Sequence, residues 1–364
     1  MSILYDEGQQ AIAREARRVL DARVDKARLL SLLERTGEFD QSFWKTAIEQ
    51  GWTALALPEA HGGLGLGLVE LGIVAQATGA ATAGAPFLTT NYGASEALLM
   101  TEDAATEAHW LPMLAAGEAI GTIAISEGNE PLPHSIAVKY ADGALIGTKP
   151  AVTAGLQADF AVVLAADGSK PILALAELRN VTRTPIDSFD NSRNYADLTF
   201  AATPATLLAE GNAALCIARE ALTRMAVVAA HEQLGGAEAL MFLARDYANE
   251  RKAFGQPIGA FQSVKHRITE LYGLVEIARA NCIHAAAKLG HDDFLIAAAA
   301  ARLSATEAYD TAARDCIQIH GGAGVTWDSG LHLHMRRARS LAIECGNMFG
   351  WEDVLAVELI GAAA

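Results

Sequence analysis

The stretch "HDDFLIAAAAARLSATEAYDTAARDCIQIHGG", residues 291–322, decides the fold of the C-terminal part of the chain. Alanine and larger apolar residues recur in it with the spacing of a helix face. Asp292 or Asp293 can begin the helix, and Gly321 with Gly322 ends it. So many alanines let neighbouring helices approach closely, which predicts a helix inside a bundle.

The segment just before it, residues 263–290, repeats this pattern. Its apolar positions step by three or four, and Gly290 ends the run; they are Ile268, Leu271, Val275, Ala278 and Cys282. The chain stays Ala-rich from about residue 204 onward. We therefore predict a C-terminal four-helix bundle over residues 204–364, with apolar surface that a partner subunit can cover.

Residues 119–203 show a different period. Short β-rich runs such as "AIGTIAIS", "DFAVVLAA" and "PILALA" are separated by turn residues. Asp142-Gly143 between two of these runs is a strong hairpin signal. Because no helix-length segment separates the strands, we expect an antiparallel β-barrel or sandwich.

Residues 1–118 have helical periodicity. Asp6 can cap a first helix, and a second, around "QSFWKTAIEQ", stops at Gly51. The following "GGLGLG" is no GxGxxG nucleotide motif, because Leu68 stands where its third glycine belongs, so a tight turn is expected. The fold class is α+β, with domains at 1–118, 119–203 and 204–364.

Composition narrows the function. A formal charge of −15 over 364 residues argues against a general nucleic-acid binder. Cys216, Cys282, Cys316 and Cys345 form no CxxC pair, which predicts free thiols in a reducing cytoplasm and no metal site. From the amphipathic start and the lack of an uninterrupted apolar run of about 18 residues, we expect neither a signal peptide nor a membrane span.

Three segments can carry binding chemistry. In "ERKAFGQPIGAFQSVKH", Arg251 can hold a phosphate and Phe254 a ring, although basic residues at a helix C-terminus are also ordinary dipole partners. In "CIQIHGGAGVTW", the glycines either admit a ligand to the backbone or only cap a helix. In "GTKPAVTAGLQADF", the Thr153 hydroxyl can face a cofactor.

Together these motifs resemble the acyl-CoA dehydrogenase family over essentially the whole chain. "RKAFGQPIGAFQSVKHRITE" is similar to the family's Arg, Phe-Gly, Gln pattern, and "QIHGGAGVTWDSGLHLHMRRARS" to its Gln-x-x-Gly-Gly-x-Gly segment. "GWTALALPEAHGGLGLG" looks like part of its N-terminal domain. The resemblance implies FAD between the β domain and the bundle, in a homo- or hetero-oligomer (dimer or tetramer) whose neighbouring subunit contributes to the site.

The resemblance also assigns cofactor-binding residues by motif position. The residues expected at the pyrophosphate and adenosine end of FAD are Arg251, Phe254, Gln262, Gln318, Gly321 and Gly322. Thr153 is expected near flavin N5. Ser126 belongs to a remnant of the motif that cradles the flavin. The implied reaction is α,β-desaturation of an acyl-CoA thioester. Its electrons pass to an electron-transfer flavoprotein.

The sequence departs from the family pattern at the catalytic base of that reaction. The family's catalytic Glu position falls on Cys345, and Glu344 lies one residue earlier, about 100° away on a helix. The family's alternative base position falls near Met225. Glu344 is therefore the candidate catalytic residue, with Glu352 a weaker one; a thiol of ordinary pKa about 8.5 is a poor substitute.

Two further departures lie in the β domain. The chain has "AISEGNEPLPHS" where the family shows Thr-Glu-Pro followed by Ala-Gly-Ser, and Ala151 stands where a Trp is common. Three hypotheses remain: a dehydrogenase that uses Glu344; a non-catalytic, FAD-sharing subunit of a heteromeric enzyme; and a flavin-free helical scaffold or acyl-CoA-binding module.

Overall fold

The computed structural model describes residues 5–84, 87–128, 132–133 and 135–363. The N-terminal part is helical, with α1 (Glu7–Arg23), α2 (Lys26–Leu32), α3 (Gln41–Glu49), α4 (Leu68–Ala80), α5 (Phe87–Leu99) and α6 (Ala104–Ala116). The predicted cap is confirmed, since the Asp6 carboxylate accepts from the Gln9 backbone N–H at 2.8 Å. The glycine-dense loop is a tight turn, because a Cβ on Gly63 would lie 2.0 Å from the Leu57 carbonyl oxygen.

The central part is an eight-stranded sheet. Its strands are β1 (Gly121–Ala124), β2 (Lys139–Ala141), β3 (Ala144–Thr153), β4 (Phe160–Asp167), β5 (Lys170–Glu177), β6 (Thr182–Pro185), β7 (Tyr195–Pro204) and β8 (Thr206–Glu210). Their order is β6-β7-β3-β2-β4-β5-β8, with β1 beside β4. The predicted hairpin is present, because β2 and β3 pair antiparallel on either side of Asp142-Gly143.

The central β domain is confirmed, but its expected antiparallel order and closure are corrected. Strands β1 and β2 both pair parallel with β4, and the described sheet is not closed into a barrel. A parallel pair needs a crossover connection. Here the chain between β1 and β4 contains the β2–β3 hairpin, and this hairpin takes the place of a helix in the crossover. The absence of a helix between the strands therefore did not exclude parallel pairing.

The C-terminal part is the predicted helical bundle. It contains α7 (Asn212–Glu250), α8 (Gln262–Ala287), α9 (Phe294–His320), α10 (Leu331–Ile343) and α11 (Met348–Ala363), and a small ladder of β9 (Lys252–Ala253) and β10 (Gln256–Pro257) between α7 and α8. Alanines of α9 such as Ala301, Ala305 and Ala308 are fully buried, as the sequence pattern predicted. Among the described residues, no helix is long and apolar enough to cross a membrane.

Helix α4 packs against α7 at glycine contacts that bring the two backbones together. A Cβ on Gly235 would lie 1.8 Å from the Gln76 carbonyl oxygen, and one on Gly79 would lie 1.9 Å from that of Glu232. The contact buries α4, whose residues Leu71, Ile73 and Val74 are 2% exposed or less. It joins the N-terminal helices to the bundle.

Candidate active site

A cavity of about 490 Å³ lies between the sheet and the C-terminal helices. The sheet contributes the end of β1 with the residues after it and the Pro150–Thr153 part of β3; the helices contribute Leu222 and Met225 of α7 and the turn between α10 and α11. Three of the predicted site residues, Ser126, Thr153 and Glu344, line this cavity. In the segment "AISEGNEPLPHS", residues 129–131 and 134 lie outside the described residues.

A local irregularity of β3 presents Thr153 to the cavity. The register against β7 shifts between Lys149 and Val152, and Ala151 has φ +48°. The Ala151 N–H donates to the Asp197 carboxylate at 2.9 Å, and the Thr122 hydroxyl donates to the Thr153 carbonyl oxygen at 2.7 Å. These bonds tie the wall of the cavity to the neighbouring strands.

Glu344 is the C-cap of α10 and is 5% exposed. Arg193 binds its carboxylate at both oxygens, with Nε 2.6 Å from Oε1 and Nη2 2.6 Å from Oε2. The Tyr195 hydroxyl also donates to Oε1. Bidentate guanidinium bonds are among the strongest that a carboxylate makes, so Glu344 is held in a fixed position.

The Arg193–Glu344 contact is part of a buried charge network. Arg193 also binds Glu232 at 2.8 Å, Arg337 binds the same carboxylate at 2.8 Å, and Arg337 binds Asp190 at 3.0 Å. Burial alone would lower the pKa of Arg193, but the charges of Glu232 and Glu344 raise it well above its ordinary value. Two guanidinium groups and three carboxyl groups therefore pair with one another where the sheet, α7 and α10 meet.

The expected base position is occupied by a protonated thiol. Cys345 lines the cavity with φ +55°, and burial raises the pKa of its thiol to about 12. Met225, at the alternative base position, also lines the cavity and has no acid–base chemistry. Glu352 is exposed on α11 and is not part of the wall. Among the described lining residues, Glu344 carries the single carboxylate.

Sequence reasoning missed Arg193, Tyr195 and Glu232. A loop arginine is ordinarily exposed, and nothing in its spacing connects Arg193 to a residue 151 positions later. Glu232 lies within an apolar stretch of α7. A charged residue in a stretch that is expected to be buried needs a partner, and this was the signal that could have identified Glu232.

The remaining predicted residues form a separate surface, which we call the bundle-end surface. It consists of Arg251, Phe254, Gln262, Gln318, Gly321 and Gly322, all exposed. The structure brings its two loops together, because Tyr247 stacks on His320 and Arg267 pairs with Asp315 beside them. None of the six lines the cavity.

The bundle-end surface has the chemistry to hold the ADP part of FAD. Arg251 has no ion-pair partner among the described residues, and the ring of Phe254 is 96% exposed. Cβ atoms on Gly321 and Gly322 would meet nothing within 4 Å, so the backbone there is open to a ligand. A guanidinium, an exposed ring and an open glycine turn suit a diphosphate joined to an aromatic base.

The sequence of this chain was compared with known protein families and proteins. The sequence matches the N-terminal domain of acyl-CoA dehydrogenases over residues 6–118 and their C-terminal domain over residues 215–348. It is 34% identical over 305 residues to acyl-CoA dehydrogenase IpdE2 of Mycobacterium tuberculosis, covering 84% of this chain and 82% of that one. IpdE2 of Mycolicibacterium smegmatis is 30% identical over 313 residues, covering 84% and 83%.

Solved structures agree over almost the whole length. A variant of the Tcur3481–Tcur3483 steroid ACAD superposes with a TM-score of 0.87 at 26% identity, covering 98% of this chain and 99% of that one. The ChsE4–ChsE5 complex from Mycobacterium tuberculosis gives 0.88 at 25% identity, covering 99% of both chains. This chain belongs to the acyl-CoA dehydrogenase family of oxidoreductases, which act on CH–CH bonds.

Proposed function

We propose that this chain is the FAD-sharing subunit of a heteromeric acyl-CoA dehydrogenase. A second, different chain brings the carboxylate that removes the α-proton of an acyl-CoA thioester. The product is the trans-2-enoyl thioester, and the electrons pass to an electron-transfer flavoprotein. FAD, when bound, supplies the hydride acceptor.

The observation that carries this proposal is the state of Glu344. A general base needs a free lone pair within about 3 Å of the proton that it removes. Here Arg193 and Tyr195 donate two hydrogen bonds to Oε1 and one to Oε2 of the one carboxylate in the described cavity wall, which fills three of its four lone-pair positions. Removing one partner of such a buried pair costs about 3–5 kcal/mol, so freeing Glu344 for each turnover is unfavourable.

The role of this chain is to hold the cofactor. We propose that Arg251 binds the pyrophosphate, that Phe254 lies against the adenosine part, and that Gln262 and Gln318 bond its polar edges. The backbone of Gly321 and Gly322 completes this end. The partner chain would then complete the site around the reacting end of FAD and would contribute the base.

The solved relatives support an assembly of two kinds of chain. The ChsE4–ChsE5 structure is a complex of two named proteins, and the other neighbour named above is a steroid ACAD. By that likeness, we propose a steroid side-chain thioester or a related lipid acyl-CoA as the substrate class.

A second candidate function is a complete dehydrogenase that uses its own cavity. The observation in its favour is that Ser126, Thr153 and Glu344 all line the cavity of about 490 Å³. In that case Ser126 and Thr153 face the flavin ring, and Glu344 must leave Arg193 to act as base.

Expression of the chain alone and together with candidate partner acyl-CoA dehydrogenase chains from the same genome distinguishes these functions. Flavin per chain, subunit composition and ferrocenium reduction by acyl-CoA thioesters are measured for each preparation. The proposal predicts little flavin and no turnover for the chain alone, and a yellow, active assembly with the partner. Robust turnover by the chain alone contradicts it, and absence of flavin from every preparation favours the scaffold hypothesis.

A further inference from the structure

Tyr247 and His320 form an aromatic stack behind the bundle-end surface. Tyr247 lies in the last turn of α7, and His320 is the last residue of α9. Their ring centroids are 4.0 Å apart with an interplanar angle of 23°. The Tyr247 hydroxyl also donates to the His320 carbonyl oxygen at 3.4 Å. The stack therefore connects the ends of the two helices.

The loop that follows Tyr247 is folded back on the end of α7. The Arg251 N–H donates to the Tyr247 carbonyl oxygen at 2.8 Å, and the Ile258 N–H donates to the Arg251 carbonyl oxygen at 2.8 Å. A Cβ on Gly259 would lie 3.1 Å from the Ala248 carbonyl oxygen. The backbone of Arg251 is thus held to the backbone of Tyr247 at the end of α7.

The glycine turn is folded in the same way over His320. A Cβ on Gly324 would lie 2.6 Å from the Ile317 carbonyl oxygen and 3.0 Å from the His320 Cβ. His320 Nδ1 lies 2.8 Å from the Cys316 carbonyl oxygen. Because a carbonyl only accepts, Nδ1 carries the proton, and this bond fixes the rotation of the ring.

We infer that Tyr247 and His320 are positioning residues, which set the distance between Arg251 and the Gly321–Gly322 turn for the ADP part of FAD. The inference rests on the proposed role of the bundle-end surface. Recognition groups must be held within about 0.5 Å of their productive geometry, and here they belong to two different helices. The stack is one contact that joins those helix ends, and it involves the side chains nearest to both loops.

The rest of the bundle does not need this stack in order to pack. Along its length α9 is held by fully buried alanines, among them Ala305, Ala308 and Ala312. Loss of one half-buried ring at the end of α7 therefore leaves the core contacts in place. The expected effect is local, on the spacing of the two loops.

The test is the Kd for FAD, measured by quenching of flavin fluorescence. It uses the full chain in the preparation in which the wild type binds flavin. Tyr247→Leu removes the stack and should raise the Kd about fivefold or more, with the melting temperature within a few degrees of the wild type. Tyr247→Phe keeps the stack and should bind within about twofold of the wild type. These magnitudes follow from the usual strength of aromatic pairs.

Tyr272→Leu is the matched control, since Tyr272 is exposed on α8 and is 56% accessible. It should bind FAD like the wild type. Equal FAD affinity in Tyr247→Leu and Tyr247→Phe overturns the inference. A loss of FAD affinity in Tyr247→Leu that is accompanied by a large fall in melting temperature overturns it as well. If the wild type binds no FAD in any preparation, the proposed function itself is wrong.

Discussion

Arg193 and Glu344 form a bidentate ion pair that joins the loop before β7 to the end of α10. Both N···O distances are 2.6 Å, and the two residues are 151 positions apart in the sequence. The pair lies between the cavity and the junction of sheet and bundle, so the carboxylate nearest the expected base position stabilises that junction. Under the proposed function, its role in this chain is structural.

Replacing Glu344 by Gln in the active assembly tests this role. We expect kcat to stay within a few-fold of the wild type, whereas loss of a general base lowers rates by about 10²–10⁴. The free energy of unfolding should fall by about 3 kcal/mol, because Arg193 and Tyr195 lose a buried charged partner. Turnover with a ferrocenium acceptor and urea unfolding measure the two effects.

The exposed Glu352→Gln on α11 is the matched control and should change neither quantity. A fall in kcat of a hundredfold or more in Glu344→Gln, with stability unchanged, would restore Glu344 as the base. That result would favour the complete dehydrogenase over the FAD-sharing subunit.

What the sequence could and could not predict follows from the range of the interactions. Helices, hairpins and caps depend on residues close in sequence, so the α9 pattern and the Asp142-Gly143 turn were sufficient to predict them. The parallel pairing of β1 with β4 depends on how the chain crosses the sheet, which no local pattern records. Arg193 binds Glu344 only because tertiary packing brings the two together.

The same distinction applies to the candidate site. The six residues predicted to bind the ADP part of FAD lie in two short motifs, and the fold brings those motifs to one end of the bundle. The family match placed Glu344 one residue from the base position, and the structure adds that both of its oxygens are bound. Tyr247 and His320 had no sequence signal, because a stack between two helix ends appears only once the helices are packed.

Lys149 is the next test, since it is fully buried in β3 behind the cavity wall. Its ammonium donates to the Ile125 carbonyl oxygen at 2.9 Å and pairs with Glu127, whose side chain is 7% exposed. Lys149→Met leaves Glu127 buried without its cation, so the free energy of unfolding should fall by about 3–5 kcal/mol. Adding Glu127→Gln should recover part of this loss.

The matched control for Lys149 is Lys170→Met, which breaks a pair with Glu210 between β5 and β8 in the same sheet. Both partners there are about half exposed, at 50% and 47%, so the loss should stay below about 1 kcal/mol. Urea unfolding of the variants gives the comparison. Equal losses in the two lysine variants would show that burial does not set the strength of the Lys149 pair.

Two buried histidines predict a loss of stability in mild acid. Burial lowers the pKa of His231 to about 4; burial, and then the charge of Arg337, lowers that of His334 to about 3. In the unfolded chain both bind protons below about pH 6.5. The native state binds fewer protons than the unfolded state between pH 6.5 and 4, so stability is full above this window and falls as the pH falls through it.

The expected slope is about 1.4 kcal/mol per pH unit for each histidine, measured by urea unfolding at pH 7, 6 and 5. His334→Gln should remove about half of the combined slope, and His231→Gln should do the same. A slope that stays unchanged in both variants would mean that other groups carry the acid response.

The contact between α4 and α7 gives the last prediction, because it depends on the absence of a side chain. A Cβ on Gly235 would lie 1.8 Å from the Gln76 carbonyl oxygen, so Gly235→Ala must push the two helices apart. We expect a loss of about 1–3 kcal/mol, the usual cost of overpacking a core. In Gly273→Ala, on the exposed face of α8, the new Cβ meets nothing within 4 Å. Helix propensity should then stabilise the protein by about 0.8–1 kcal/mol, so changes of the same sign in the two variants would contradict the glycine contact.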